Sequence, residues 1–150
     1  VTYQVINIDG DLASFEKYGP ALTAALKQLE AEFPKDIEHK YLGLEMYTGQ
    51  KVPWLILDDD GEFVSFCATK DSTNEATGKK STTLTSHAAV LAKDCVPDMC
   101  AVIEAWAFER GADFVMVEGR RDLSPKMRAG HYREYCTVWA KPRPEHREAE

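Results

Sequence analysis

The chain is short of basic side chains, short of histidine, and without any apolar run long enough to cross a bilayer. Lysine and arginine number 18 against 25 aspartates and glutamates, for a net charge of −7. That balance argues against a general nucleic-acid binder, because phosphate affinity is carried by cations. A membrane-spanning helix needs about 20 consecutive apolar residues, and no stretch approaches this. Val1-Thr2-Tyr3-Gln4 has neither the basic start nor the apolar core of a signal peptide. The expectation is a soluble protein of the producing cell's cytoplasm. Cys67, Cys95, Cys100 and Cys136 form no Cys-x-x-Cys pair, and no histidine lies at finger-like spacing, so a structural zinc site is poorly supported. An even cysteine count does not make a disulfide framework in a chain of this length without a leader. Buried free thiols are expected instead. No metal site is expected: Asp58-Asp59-Asp60-Gly61 reads as hairpin chemistry, and calcium there would need more oxygen ligands than can be located. Internal repeats and low-complexity blocks are absent too.

What is present suits one domain with a real core: 150 residues, of which 44% are hydrophobic. Residues 1–8 read as a strand, and Asp11 as the cap of a helix starting at Leu12. Gly19-Pro20 is expected to break or restart that helix. Leu22, Ala25, Leu26, Leu29 and Phe33 then share one face, with Pro34 as a stop. Residues 36–50 read as a short helix followed by a loop, with Tyr41, Leu44 and Tyr47 covering a sheet or lining a cleft. Val52–Leu57 and Glu62–Thr69 form a hairpin, 70–80 a surface loop, and Ser81–Leu91 another strand containing His87. A helix follows Asp94–Pro97, with Met99, Val102, Ile103 and Trp106 on one face. Asp113–Val117 reads as a strand buried on both faces. The last strand is expected at about 133–141, where Tyr135 and Trp139 alternate with Cys136, Val138 and Ala140. A domain at 1–141 and a charged tail at 142–150 follow. Charge is uneven: residues 1–119 carry 10 basic and 20 acidic groups, and residues 120–150 carry 8 and 5. The C-terminal end is thus a candidate contact surface.

This order of elements, over about residues 3–141, resembles the GNAT N-acyltransferase superfamily. The most family-like segment is Ala101–Lys141, with AVIEAWAFERGADFVMVEGRR followed by MRAGHYREYCTVWAKP. Gly119-Arg120 and Gly130-His131-Tyr132 are similar to divergent members encoded by bacteriophages. The resemblance implies an α/β fold with a mixed, mostly antiparallel central sheet flanked by helices. Strands 52–57, 62–69 and 81–91 should be consecutive antiparallel neighbours. Strand 113–117 should lie parallel to 81–91 through a right-handed crossover.

The resemblance fails where the family holds acyl-CoA. Members carry a Gln/Arg-x-x-Gly-x-Gly/Ala loop whose backbone N–H groups cradle the pyrophosphate at a helix N-terminus. Here the matching stretch is Ala92-Lys93-Asp94-Cys95-Val96-Pro97-Asp98. It has no glycine, Pro97 lacks an N–H, and the two aspartates add negative charge that suits them better to helix capping. Lys93 is the one compensating cation. The expectation is therefore that no cofactor binds, with acetyl-CoA the cofactor if the chain is an enzyme. In that case the resemblance offers Tyr132 or Tyr135 as the acid and Glu45 or His87 as the base; sheet-face roles are the alternative for Tyr135 and His87. Arg120, Arg121, Lys126, Arg128 and Arg133 could dock on an acidic protein, bind a small anion, or solvate a loop. The reading is a non-catalytic structural or interaction component, of a phage particle by the resemblance, acting through protein partners or as a homo-oligomer. An active divergent N-acyltransferase and a small inhibitor of a host enzyme are the alternatives.

Overall fold

A computed structural model describes residues 2–85, 93–118, 124–133, 141, 143 and 144. The first strand, β1, is Gln4–Asn7, and Gly10 turns the chain into helix α1, Leu12–Glu32. The Asp11 carboxylate caps α1, accepting from the Ser14 N–H at 3.1 Å and from its hydroxyl at 2.7 Å. The expected break at Gly19-Pro20 does not occur; α1 runs through Pro20 for 21 residues. The clash that normally bars helix before proline involves the preceding Cβ, and Gly19 has none. The helix is also held along its length by a single apolar stripe. Phe15 and Tyr18, before the proline, pack on the same core as Leu22, Ala25, Leu26 and Leu29 after it.

Helix α2, His39–Tyr47, is capped by the Glu38 carboxylate, which accepts from the N–H groups of Lys40 and Tyr41. Its inward face is Leu42 and Met46. Tyr41, Leu44 and Tyr47 fall on the opposite side of the helix and are 56–61% exposed, so they cover no part of the sheet.

Strands β2, Val52–Leu57, and β3, Phe63–Thr73, form the expected hairpin. Its turn is closed by Asp58, whose side chain accepts from the Asp60 and Glu62 N–H groups, and by Gly61 at φ +78°. β3 extends to Thr73 and β4, Lys80–Thr85, starts at Lys80, so only 74–79 remains of the loop expected at 70–80. Helix α3, Val96–Glu109, then leads to β5, Phe114–Glu118, and helix α4, Ser124–Ala129, follows. The sheet order is β1-β2-β3-β4-β5, antiparallel except for the parallel pair β4–β5. The expected antiparallel neighbours and the parallel pair are both present. Asp113 locks the start of that pair, accepting from the Lys80 N–H at 2.8 Å and donating its own N–H to the Lys80 carbonyl at 2.7 Å.

Two apolar layers sandwich the sheet. On one face α1 packs on β3 and α2 on β2, around Ile8, Leu29, Met46, Leu55 and Phe66. On the other, α3 packs on Trp54, Ile56, Cys67 and Leu84. The indole N–H of Trp54 donates to the Thr69 hydroxyl at 3.1 Å, which settles two buried polar groups at once. The buried stripe of α3 is Val96, Met99, Cys100, Ile103 and Ala107. Val102, expected on that face, lies off the stripe and is 40% exposed. β5 is not buried on both faces: Phe114 is 52% exposed and Val115–Val117 are half-buried. Among the described residues, α1 and α2 sit over β3 and β2 and leave the β4–β5 side of their face uncovered.

Candidate functional site

Three places merit description as sites: the start of α3, the open sheet face beside α2, and the pocket of Tyr132.

The chain enters α3 through a 3₁₀ turn, Lys93–Cys95, with Cys95 as N-cap. Cys95 is buried and makes no side-chain capping bond, and Pro97 stands in the first turn without an N–H. Asp98 does not cap its own helix. Its carboxylate accepts the backbone N–H of Tyr3 at 3.3 Å and so ties α3 to the residue before β1. Asp94 is exposed and Asp98 half-buried. Their influence reaches the Tyr3 phenol, whose pKa is raised, first by desolvation and then by the charges of Asp94, Cys95 and Asp98. A helix start that should attract anions therefore lies in a negative field. The side chain of Lys93 lies outside the described residues, and so does the cation it would supply.

The open face forms a cleft of about 350 Å³, lined by Glu45, Lys51, Ala68, Thr69, Lys70, Ser72, Thr83 and Glu118. Register builds most of it. Lys70 pairs with Thr83, and Thr85 faces Ala68 on one side and Glu118 on the other. Paired residues share a face of the sheet, which places Ala68, Lys70, Thr83 and Glu118 on the α1–α2 side. Glu45 enters from α2, one position before the buried Met46, and its carboxylate meets the Lys51 ammonium at 3.5 Å. Both are mostly buried, with 15% and 25% of the side chain exposed. Glu45 is thus engaged by a cation. Glu118 stands at the carboxyl end of the parallel strand pair, where open α/β sheets usually bind ligands. Sequence reasoning missed it, together with Lys51, Lys70 and Thr83. The available signal was a charged residue ending the apolar run Phe114–Val117.

Tyr132 follows α4 and packs with Met127 against the α3 layer, on the sheet face opposite the cleft. Its hydroxyl is buried with no well-formed hydrogen bond, although the Glu104 carboxylate and the Cys100 thiol lie beside it. Burial first, then Glu104 and Cys100, push the phenol pKa strongly upward. Burial and Glu104 likewise raise the Cys100 thiol to about 11. Both groups hold their protons at neutral pH. The structure therefore separates two residues that the enzyme reading would combine: Glu45 lines the cleft, and Tyr132 is packed behind the sheet.

Cys67, Cys95 and Cys100 are buried, as expected. Arg128 and Arg133 are exposed. The remaining candidates (His87, Tyr135, Arg120, Arg121 and the Lys126 side chain) lie outside the described residues, as do Cys136, Trp139, most of the expected last strand and residues 145–150. Among the described residues, no helix is long and apolar enough to cross a membrane.

No protein-family model matches this chain, and no curated protein does. Solved structures do. Glucosamine-6-phosphate N-acetyltransferase from Arabidopsis thaliana is similar at a TM-score of 0.63 and 10% identity, over 95% of this chain and 99% of that one. Ribosomal-protein-alanine N-acetyltransferase from Brucella melitensis biovar Abortus is similar at 0.61 and 15%, over 95% and 99%. A predicted acetyltransferase from Clostridium acetobutylicum, solved with acetyl-CoA, is similar at 0.55 and 12%, over 98% and 99%. These likenesses cover nearly the whole of each chain and agree with the element order and the parallel β4–β5 pair, so the chain has the fold of the GNAT N-acetyltransferases.

Proposed function

We propose that this chain is a GNAT-fold protein that works by binding a protein partner and does not use acyl-CoA. The observation that carries the reading is the start of α3. It has no glycine in 92–98, a proline in the first turn, and Asp94 and Asp98 where a pyrophosphate would rest. Asp94 and Asp98 repel an anion at this helix start, and the helix N-terminus, worth about 0.3–1 kcal/mol to an anion, has no glycine nest to add to it.

The partner reading is supported by the apolar residues that α1 and α2 leave outside. Leu12, Tyr41, Leu44 and Tyr47 are each more than half exposed, and Tyr47 is held by an edge-to-face contact with Phe15 at 5.3 Å. Exposed aromatics of this kind anchor protein contacts. The excess of basic residues in 120–150 offers a second, electrostatic surface that would suit an acidic partner or the acidic remainder of another copy. A structural role in a phage particle and inhibition of a host enzyme are both forms of this reading. The test is molecular mass in low and high salt, with candidate partners, for wild type and an Arg128→Glu, Arg133→Glu variant. Salt-sensitive association lost in the variant is expected. A wild type that stays monomeric and unbound with every partner, or a variant that associates like the wild type, counts against the basic surface.

The cleft favours a second reading, an active divergent N-acyltransferase. It lies at the carboxyl end of the parallel pair with Glu118 on its rim and Glu45 within it. Release of free thiol from acetyl-CoA in the presence of an amine acceptor would establish that reading and displace the first.

A further inference from the structure

The junction of α1 and α2 brings together three side chains outside the cleft. Glu30 lies in the last turn of α1, Glu38 caps α2, and His39 is the first residue of α2. One donor atom from each lies within 4.8 Å of the other two. The His39 Nδ1 is in direct contact with Glu30 Oε2. Both are partly shielded, with side chains 21% and 35% exposed, and Glu38 faces solvent.

From this juxtaposition we propose that Glu30, Glu38 and His39 form a binding site for a divalent transition-metal ion, zinc first among them. An imidazole beside two carboxylates suits zinc, cobalt or nickel. It does not suit calcium, which takes six to eight oxygen ligands, or magnesium, which keeps its waters. Three protein ligands with one open, solvated side leave a position for water in a tetrahedral shell. The two carboxylates carry a charge of −2, and Lys40 beside Glu30 offsets only part of it. The cation takes the place of the proton between Nδ1 and Glu30. With the ring neutral, that proton moves to Nε2 and the Nδ1 lone pair is released to the metal. The Glu38 oxygens that cap α2 retain lone pairs for the ion, since a carboxylate has about four acceptor positions.

The backbone between the ligands is already fixed. The N–H groups of Asp36 and Ile37 both donate to the Phe33 carbonyl, and Ile37 is buried. A bound ion would therefore staple the end of α1 to the start of α2 without refolding the turn. It would also hold steady the helix that carries Glu45 into the cleft and presents Tyr41, Leu44 and Tyr47.

The test is titration of the folded chain with zinc chloride, followed by calorimetry and thermal melting, with magnesium chloride as control. One equivalent of zinc is expected to bind. At about a hundredfold its Kd, zinc should raise the melting temperature by about 5–10 °C, and magnesium should not. Glu30→Gln and His39→Ala should each weaken binding tenfold or more. Should either variant fail to fold, the imidazole resonances of wild-type His39 decide, because zinc must shift them. No saturable zinc binding up to about 1 mM, binding undiminished in folded variants, or an unmoved His39 ring would each overturn the proposal.

Discussion

Replacing Tyr132 by phenylalanine should leave the protein at least as stable as before, and an acyl-transfer assay on the same variant separates a packing role from a catalytic one. The hydroxyl is buried and lacks a well-formed hydrogen bond, while the ring packs on the α3 layer with Met127. A buried polar group without a partner costs about 1–3 kcal/mol relative to the same group in water. Glu104 and Cys100 lie beside the oxygen and recover part of that cost. Phenylalanine keeps the ring and its apolar contacts and removes only the oxygen. The expected change is therefore between zero and about 1 kcal/mol of added stability, or about 0–4 °C for a domain of this size. Urea denaturation followed by tryptophan fluorescence reads it as a higher midpoint at unchanged slope. A loss above about 1.5 kcal/mol would refute the reasoning, because it would mean that the hydroxyl is anchored by Glu104 in the folded state. If the substitution also abolished a measurable acyl transfer, Tyr132 would be the proton donor of the enzyme reading.

Thr69→Val keeps the shape of the side chain and removes the acceptor of the Trp54 indole N–H. It should destabilise by about 1–3 kcal/mol and shift Trp54 emission, both measurable in one denaturation series. The Asp11 pKa is lowered, chiefly by the hydrogen bonds from Ser14. Its contribution is thus complete above the ordinary aspartate pKa and fades as pH falls through the lowered one. Asp11→Asn, an equally good cap that does not titrate, should flatten the acid side of the stability–pH curve in that window. An unchanged acid limb would show that the cap contributes nothing there.

Local chemistry was legible in the sequence, and assembled geometry was not. Asp58 and Gly61 announce their hairpin because the turn is built from side-chain bonds and a positive φ within four residues. The apolar stripe Leu22–Leu29 likewise announces the second half of α1. Pro20 misled: it costs a backbone hydrogen bond and crowds the carbonyl one turn back, but Gly19 spares the clash with a preceding Cβ and the apolar stripe on both sides of it holds the helix together. Val102 looked like core because it is apolar and in phase with Trp106, yet the stripe facing the sheet is centred on Cys100, Ile103 and Ala107. Glu45 was singled out from the sequence, but its pairing with Lys51 was not. The cleft's other walls arise from strand register, which couples Lys70 to Thr83 and Thr85 to Glu118, 13 and 33 residues apart. The Glu30–His39 contact was hidden for a related reason: two residues nine apart meet only because the chain reverses between two helices.

The central claim concerns acyl-CoA, and calorimetric titration with acetyl-CoA tests it most directly, in wild type and in an Asp94→Asn, Asp98→Asn variant. The account predicts no saturable binding to wild type up to about 1 mM. It predicts at most weak binding to the variant, in which the repulsion is relieved but the glycine nest is still missing. Saturable binding of acetyl-CoA to the wild type with a Kd in the micromolar range would contradict it.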